Sequence, residues 1–282
     1  MSGLTHSVHD RTWPFRPSLE DLFDLGTKSA EAFAAARPFP HAVFDDVFDD
    51  DLLRQVAAEL PDDGHPGWSW YERPTERKRT FDRPEYFGPA ARTLAEGLNS
   101  SEFVRFLERL SGIDGLISDP HLTSAGYMCS DRGGFLDIHI DFARNPKLRL
   151  VRRLNAILYL NDGWQRAWGG QLELRESLDG ETVAEVVPVM NRMVVFSTPD
   201  APHGHPVRVN APDGRSRLCF STYYFTSPEE SRSRAANHGV LFSERQQVRP
   251  AWKRALESVV PPVVIEARRR RKRQRRAANG GR

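Results

Sequence analysis

Hydrophobic positions along the chain change their spacing near residue 116. Before it, apolar residues recur at helical intervals. From Ser18 the segment SLEDLFDL carries a short helical pattern, and Phe44–Leu60 begins the ordered body. Leu52, Val56 and Leu60 share one face, with Leu53 and Ala57 beside them; Asp49 or Asp50 supplies an N-cap and Pro61 a stop. A second helix has the stripe Phe103, Phe106, Leu107 and Leu110, a cap at Ser100 or Ser101 and an end at Gly112. Residues 61–88 between them are polar and read as a loop, although they carry Trp68, Trp70 and Tyr71. After residue 116 short runs rich in β-branched and aromatic residues take over. Strands are predicted near 135–141, 150–160, 171–175, 182–187, 192–197, 205–209 and 217–225. Turns are marked by Asn161-Asp162-Gly163, Asp179-Gly180, Pro199-Asp200 and Pro212-Asp213-Gly214. Many short strands braced by few helices predict an α+β chain with a jelly-roll core rather than a parallel sheet.

This pattern divides the chain into an N-terminal extension (1–38), a helical lead-in (39–116), a β-core (117–228), a C-terminal helical segment (229–267) and a tail (268–282). In the helical segment, Pro250–Val260 reads as a helix that Pro261-Pro262 interrupts.

Charge changes the picture at the C-terminal end. The formal net charge is +2, but residues 268–276 read RRRRKRQRR and hold eight Arg or Lys, so the remainder carries −6. Such a run is expected to be solvated and disordered, and it is a candidate contact for an anionic surface, nucleic acid or membrane. No recognised nucleic-acid fold accompanies it. No apolar run approaches the roughly 20 residues of a membrane helix, and Met1–Phe15 lacks the basic-then-apolar order of a secretory leader. Two cysteines, Cys129 and Cys219, imply buried reduced thiols rather than a disulfide framework. The expected location is cytoplasmic. The sequence carries no signal of oligomeric state.

The candidate chemistry lies in Gly133-Gly134-Phe135-Leu136-Asp137-Ile138-His139-Ile140-Asp141-Phe142. On a strand, residues two apart face the same side, so His139 and Asp141 point together. An imidazole and a carboxylate so placed are two ligands of a facial triad, which leaves open positions on the metal for a co-substrate and O2. A third ligand must come from elsewhere; Pro202-His203-Gly204-His205-Pro206 offers His203 and His205. Arg217, which opens the strand Arg217-Leu218-Cys219-Phe220-Ser221-Thr222-Tyr223-Tyr224, can clamp a carboxylate with two hydrogen bonds. Arg215 competes for that role.

Several blocks in order then resemble the prolyl 4-hydroxylase-like 2-oxoglutarate and Fe(II)-dependent oxygenases over about Phe39–Thr226. They are Gly133-Gly134-Phe135-Leu136 before His139-Ile140-Asp141, Arg153 to Asn161, Trp168-Gly169-Gly170-Gln171-Leu172-Glu173-Leu174, Asn191 to Phe196, His203-Gly204-His205-Pro206 and the Arg217 strand. The resemblance implies a double-stranded β-helix (jelly-roll, cupin-like) core with N-terminal bracing helices. It implies Fe(II) as metal, 2-oxoglutarate as co-substrate and O2 as oxidant. It implies hydroxylation of an unactivated C–H bond of a peptide, amino acid or other small molecule, with release of succinate and CO2. Ascorbate would serve only to rescue over-oxidised iron. By position, His139, Asp141 and His203 match the iron ligands, Arg217 the clamp on the far carboxylate of 2-oxoglutarate, and Tyr159 a tyrosine touching that carboxylate. Asn155 and Ile157 share the face of Tyr159 and are expected to line the pocket. The chain departs from the family pattern at His205, where valine is usual, so His205 stays open as an alternative third ligand. The retained Asp141 argues against a halogenase.

Two other readings fit parts of the same pattern: a cupin-like metal enzyme that does not use 2-oxoglutarate, and an adaptor acting through the basic run. Substrate choice is expected to rest on the segments 61–88 and 119–132, with Tyr127, Met128, Cys129 and Arg132 as a candidate rim of the site, and plain core packing as the equal alternative for Tyr127.

Overall fold

The computed structural model describes residues 13–119, 121–123, 125–145, 147–228 and 240–242. The helix expected over Pro250–Val260 and the basic run 268–276 lie outside the described residues.

Four helices precede and brace the sheet: α1 (Leu19–Ala35), α2 (Asp50–Ala58), α3 (Pro89–Asn99) and α4 (Ser101–Ser111). Their starts follow from capping chemistry. Ser18 Oγ accepts the Asp21 N–H, Asp49 Oδ1 the Leu52 N–H and Ser100 Oγ the Phe103 N–H. Gly112, in the left-handed conformation, closes α4. The first helix runs well past the eight residues its sequence pattern suggested, because Leu22 and Phe33 bury against α4 and the core. Helix α3 has no capping side chain of its own. The Glu59 carboxylate, from the end of α2, accepts the N–H groups of Ala90 and Ala91 at 3.0 and 2.8 Å instead. Among the described residues, no helix is long and apolar enough to cross a membrane.

The strands are β1 (His41–Asp45), β2 (Ser69–Arg73), β3 (Glu76–Phe81), β4 (Ile117–Ser118), β5 (Gly126–Ser130), β6 (Phe135–Ile140), β7 (Val151–Tyr159), β8 (Leu172–Arg175), β9 (Thr182–Val186), β10 (Arg192–Ser197), β11 (His203–His205), β12 (Arg217–Thr226) and β13 (Leu241–Phe242). All pairings are antiparallel, in the order β1-β10-β7-β12-β5-β3-β6-β11-β8-β9. The sheet curls so that β8 and β9 face β7, β10 and β12, and the core is a double-stranded β-helix. Leu172, Leu174 and Val186 pack across its interior on Ile157, Tyr159, Val194 and Phe196. A larger apolar layer, with Phe103, Phe106, Leu154, Leu158, Phe220 and Tyr224, joins the outer face of β7 and β12 to the helices.

The segment 61–88, expected as a loop, forms the hairpin β2–β3 and joins the sheet through β5 and β6. Its strands lack apolar alternation for two reasons. Both faces of β2 meet solvent, and the inner face of β3 carries charged side chains into a polar site. The strand expected near 205–209 is the short β11, displaced to His203–His205.

Candidate active site

Strand β6 holds His139, and Asp141 follows its last residue; β11, its neighbour, holds His203 directly opposite His139. One donor atom from each of His139, Asp141 and His203 lies within 4.8 Å of the others, and all three residues are buried. His139 Nε2 is 3.5 Å from Asp141 Oδ1, and His203 Nε2 is 3.8 Å from Oδ2. The far nitrogens are fixed by the backbone. His139 Nδ1 donates to the Asp137 carbonyl at 3.0 Å, and His203 Nδ1 to the Ala201 carbonyl at 2.9 Å. These bonds set the tautomer in which Nε2 presents its lone pair to the cluster centre. Burial, helped by His139, pulls His203 down to about 4, so its ring is neutral near neutral pH.

Burial alone would raise Asp141. The Arg152 guanidinium, with Nη1 2.8 Å from Asp141 Oδ2, outweighs it together with the two histidines and holds the carboxyl well below the usual carboxylate range. Arg152 is itself buried, sandwiched between the rings of Phe142 and Tyr223 with its guanidinium carbon 3.5 Å from each centroid. Its place depends on a register shift. Leu154 pairs with Tyr224 but Arg152 with Phe225, which skips Arg153 and brings Arg152 to the face carrying Asn155 and Tyr223. Sequence reasoning missed Arg152, and a bulge of this kind leaves no pattern by which to find it.

From this cluster the inward residues of β7 and β12 lead away along the sheet. Asn155 stands at the metal end, with Nδ2 3.5 Å from Asp141 Oδ2 and Oδ1 accepting from Ser221 Oγ at 3.1 Å. Ile157 follows, and Tyr159 stands at the far end. Arg217 meets Tyr159 there: Nη2 donates to Tyr159 Oη at 3.3 Å, Nε to the Gly170 carbonyl at 2.6 Å, and Nη1 faces Cys219 Sγ at 3.8 Å. Burial raises Tyr159 against the pull of Arg217, so its phenol is protonated. Arg217 is only 4% exposed, and no carboxylate pairs with it among the described residues. A buried, unpaired guanidinium calls for an anion. Arg215, the competitor, is exposed and donates to the Asp162 carbonyl. Gly170 makes room for Arg217: its φ is +71°, and a Cβ there would lie 2.9 Å from Arg217 Cδ.

His205 lies outside the three-residue cluster, with Nε2 3.4 Å from Ser130 Oγ. Of the two readings of Tyr127, rim or core, the structure has the core: it packs beneath the helices and donates to the Val56 carbonyl. Arg132 reaches the Ala211 carbonyl. Trp164 donates to the Gly169 carbonyl and packs on Trp168, a structural role.

Two histidine nitrogens and a carboxylate oxygen, with the unmatched Arg217 further along the same strands, form a donor set that fits Fe(II) and a dicarboxylic 2-oxo acid. Comparison with known proteins agrees. Residues 124–225 match the model of the 2OG-Fe(II) oxygenase superfamily. A prolyl 3,4-dihydroxylase from Ostreococcus tauri is 26% identical over 208 residues, which are 67% of this chain and 38% of that protein. The chain therefore spans well under half the length of that relative. A Pseudomonas putida prolyl-4-hydroxylase has a TM-score of 0.51 at 21% identity, covering 71% of this chain and 98% of its own. A Trichoplax adhaerens prolyl hydroxylase, solved with a peptide fragment of the hypoxia inducible factor oxygen degradation domain, has a TM-score of 0.56 at 18% identity, covering 75% and 93%. Residues 124–225 are thus similar to the 2OG-Fe(II) oxygenase superfamily, and His139, Asp141 and His203 form a donor set that fits Fe(II) with 2-oxoglutarate as co-substrate.

Proposed function

We propose that this protein hydroxylates an unactivated C–H bond of a prolyl residue in a peptide, with His139, Asp141 and His203 as iron ligands and Arg217 and Tyr159 as the clamp on the far carboxylate of 2-oxoglutarate. The observation that carries the proposal is the pairing of the three-donor cluster with the buried, unmatched Arg217 further along β7 and β12. The likeness to prolyl hydroxylases favours proline over other substrates. Bound here, Fe(II) and 2-oxoglutarate supply the oxidising chemistry that consumes O2 and yields succinate, CO2 and a hydroxylated product. The chain's own residues bind, orient and exclude water. His139, Asp141 and His203 would hold the metal with three protein donors, a number that leaves positions for co-substrate and O2. Arg217 and Tyr159 fix the co-substrate by its far end. Ile157 and Cys219, buried along the pocket, keep its middle dry. Asn155 and Arg152 hold the Asp141 carboxylate in place.

The test is succinate formation from 2-oxoglutarate by iron-loaded protein, with and without a proline-containing peptide, and with Asp141→Ala as control. Iron-dependent succinate that vanishes in the variant and rises with the peptide supports the reading. Succinate that ignores every prolyl peptide but rises with a free amino acid would move the substrate. Turnover that needs iron but no 2-oxo acid would favour the cupin-like alternative.

A further inference from the structure

His205 is the buried group that the functional reading leaves without a task. It stands two residues after His203 on β11, beyond a register slip in which His203 pairs with His139 but His205 with Leu136. The slip brings β11 close to β6 at Gly204, where a Cβ would lie 2.7 Å from the Asp137 carbonyl oxygen and 2.8 Å from that of Leu136. The imidazole of His205 is 3% exposed. Its Nε2 lies 3.4 Å from Ser130 Oγ, and its Nδ1 has no hydrogen-bond partner among the described residues. An orphaned buried ring nitrogen is costly and points to a ligand group that meets it.

The surroundings say which end of the pocket this is. Ser130 on β5 is the direct cross-strand partner of Arg217 on β12, so their side chains stand on the same face. His205, in contact with Ser130, therefore lies beside that face. A neutral imidazole has one N–H to donate and one lone pair to accept with. Ser130 Oγ can donate to Nε2, which leaves Nδ1–H as a donor. Tyr159 bonded to Arg217, Ser130 paired with Arg217 across the strands, and His205 beside Ser130 thus form one run of buried neighbours from four strands.

Resting on the functional reading above, we propose that His205 is a co-substrate-binding residue, its Nδ1–H donating to the far carboxylate of 2-oxoglutarate beside Arg217 and Tyr159. Its role in this chain is selection for a dicarboxylic over a monocarboxylic 2-oxo acid. Without the far carboxylate, the nitrogen stays unpaired and the shorter acid gains nothing from it.

The experiment is calorimetric titration of Mn(II)-loaded protein with 2-oxoglutarate and, separately, with 2-oxobutyrate, which lacks the far carboxylate. Mn(II) affinity is measured alongside. His205→Val is expected to weaken 2-oxoglutarate binding roughly tenfold or more, the loss of one hydrogen bond to a charged group. It should change 2-oxobutyrate binding less than about twofold and leave Mn(II) affinity unaltered. His205→Gln, which restores a donor, should recover most of the loss. Ser130→Ala, which keeps the imidazole but removes its hold, should weaken 2-oxoglutarate alone, and it decides the matter if His205→Val does not fold. Unchanged 2-oxoglutarate affinity in His205→Val or Ser130→Ala, or an equal loss for both acids, overturns the assignment of His205 while leaving the oxygenase reading intact. Wild-type protein that binds Mn(II) but neither acid overturns both.

Discussion

Arg152 Nη1 lies 2.8 Å from Asp141 Oδ2, so the carboxylate that faces the two histidines is already neutralised from its other side. This relationship makes Asp141 tolerable in a buried site before any metal arrives.

Its removal has a measurable consequence. Arg152→Met leaves Asp141 buried without a partner and is expected to lower the stability of the metal-free protein by about 3–5 kcal/mol. A divalent cation then takes over the compensation. The rise in Tm on adding Mn(II) should therefore be larger in Arg152→Met than in wild type. Equal shifts would show that Arg152 and the metal do not share the carboxylate's charge.

The clamp can be disturbed without touching it. Gly170→Ala places a Cβ 2.9 Å from Arg217 Cδ on a backbone with φ +71°, so Arg217 must move. The expected result is weaker 2-oxoglutarate binding with Mn(II) affinity retained. Arg217→Lys should give the same split, because an ammonium cannot grip a carboxylate with two parallel bonds. Both are read by titration of the Mn(II)-loaded protein.

A structural prediction concerns Asn191, whose φ is +58°. Its Oδ1 accepts the Phe48 N–H at 3.1 Å, and its Nδ2 donates to the Phe48 carbonyl at 2.8 Å and to Asp50 Oδ1 at 2.6 Å. Asn191→Ala loses these bonds and adds left-handed strain, for about 3–4 kcal/mol in denaturant unfolding. Asn191→Gly keeps the loss but not the strain and should be milder by about 1 kcal/mol.

The thiols give a pH prediction. Burial pushes Cys129 up to about 12 and raises Cys219 as well. At pH 8 about one Cys129 in 10,000 is thiolate, so native protein should resist a thiol reagent that labels both cysteines after unfolding. The sign for stability follows: above pH 9 an unfolded thiol loses its proton while folded Cys129 keeps it, so stability falls as pH rises from 9 toward 12. Rapid labelling of the native protein at pH 8 would contradict this burial.

Local chemistry made part of this protein legible in its sequence. The period-two spacing of His139 and Asp141 places both on one face whatever surrounds them, and the caps at Ser18, Asp49, Ser100 and Gly112 are local bonds between near neighbours. Arg217 was marked by its place at the head of a strand and Tyr159 by the resemblance of its block to the family pattern, while His203 and His205 stayed two alternatives, because the second stands where that pattern has valine. Tertiary structure separated them: β11 slips against β6, which sets His203 opposite His139 and carries His205 toward Ser130. It also made a hairpin of 61–88, since a strand whose inner face is charged shows no apolar alternation, and it recruited Glu59 as a cap for α3 across a gap of 31 residues. Arg152 is the extreme case. A bulge on a strand pairing with residues some seventy positions away decides that it, and not Arg153, turns inward to Asp141. Contacts within a few residues are written in the order of side chains; contacts set by strand register exist only once the sheet has closed.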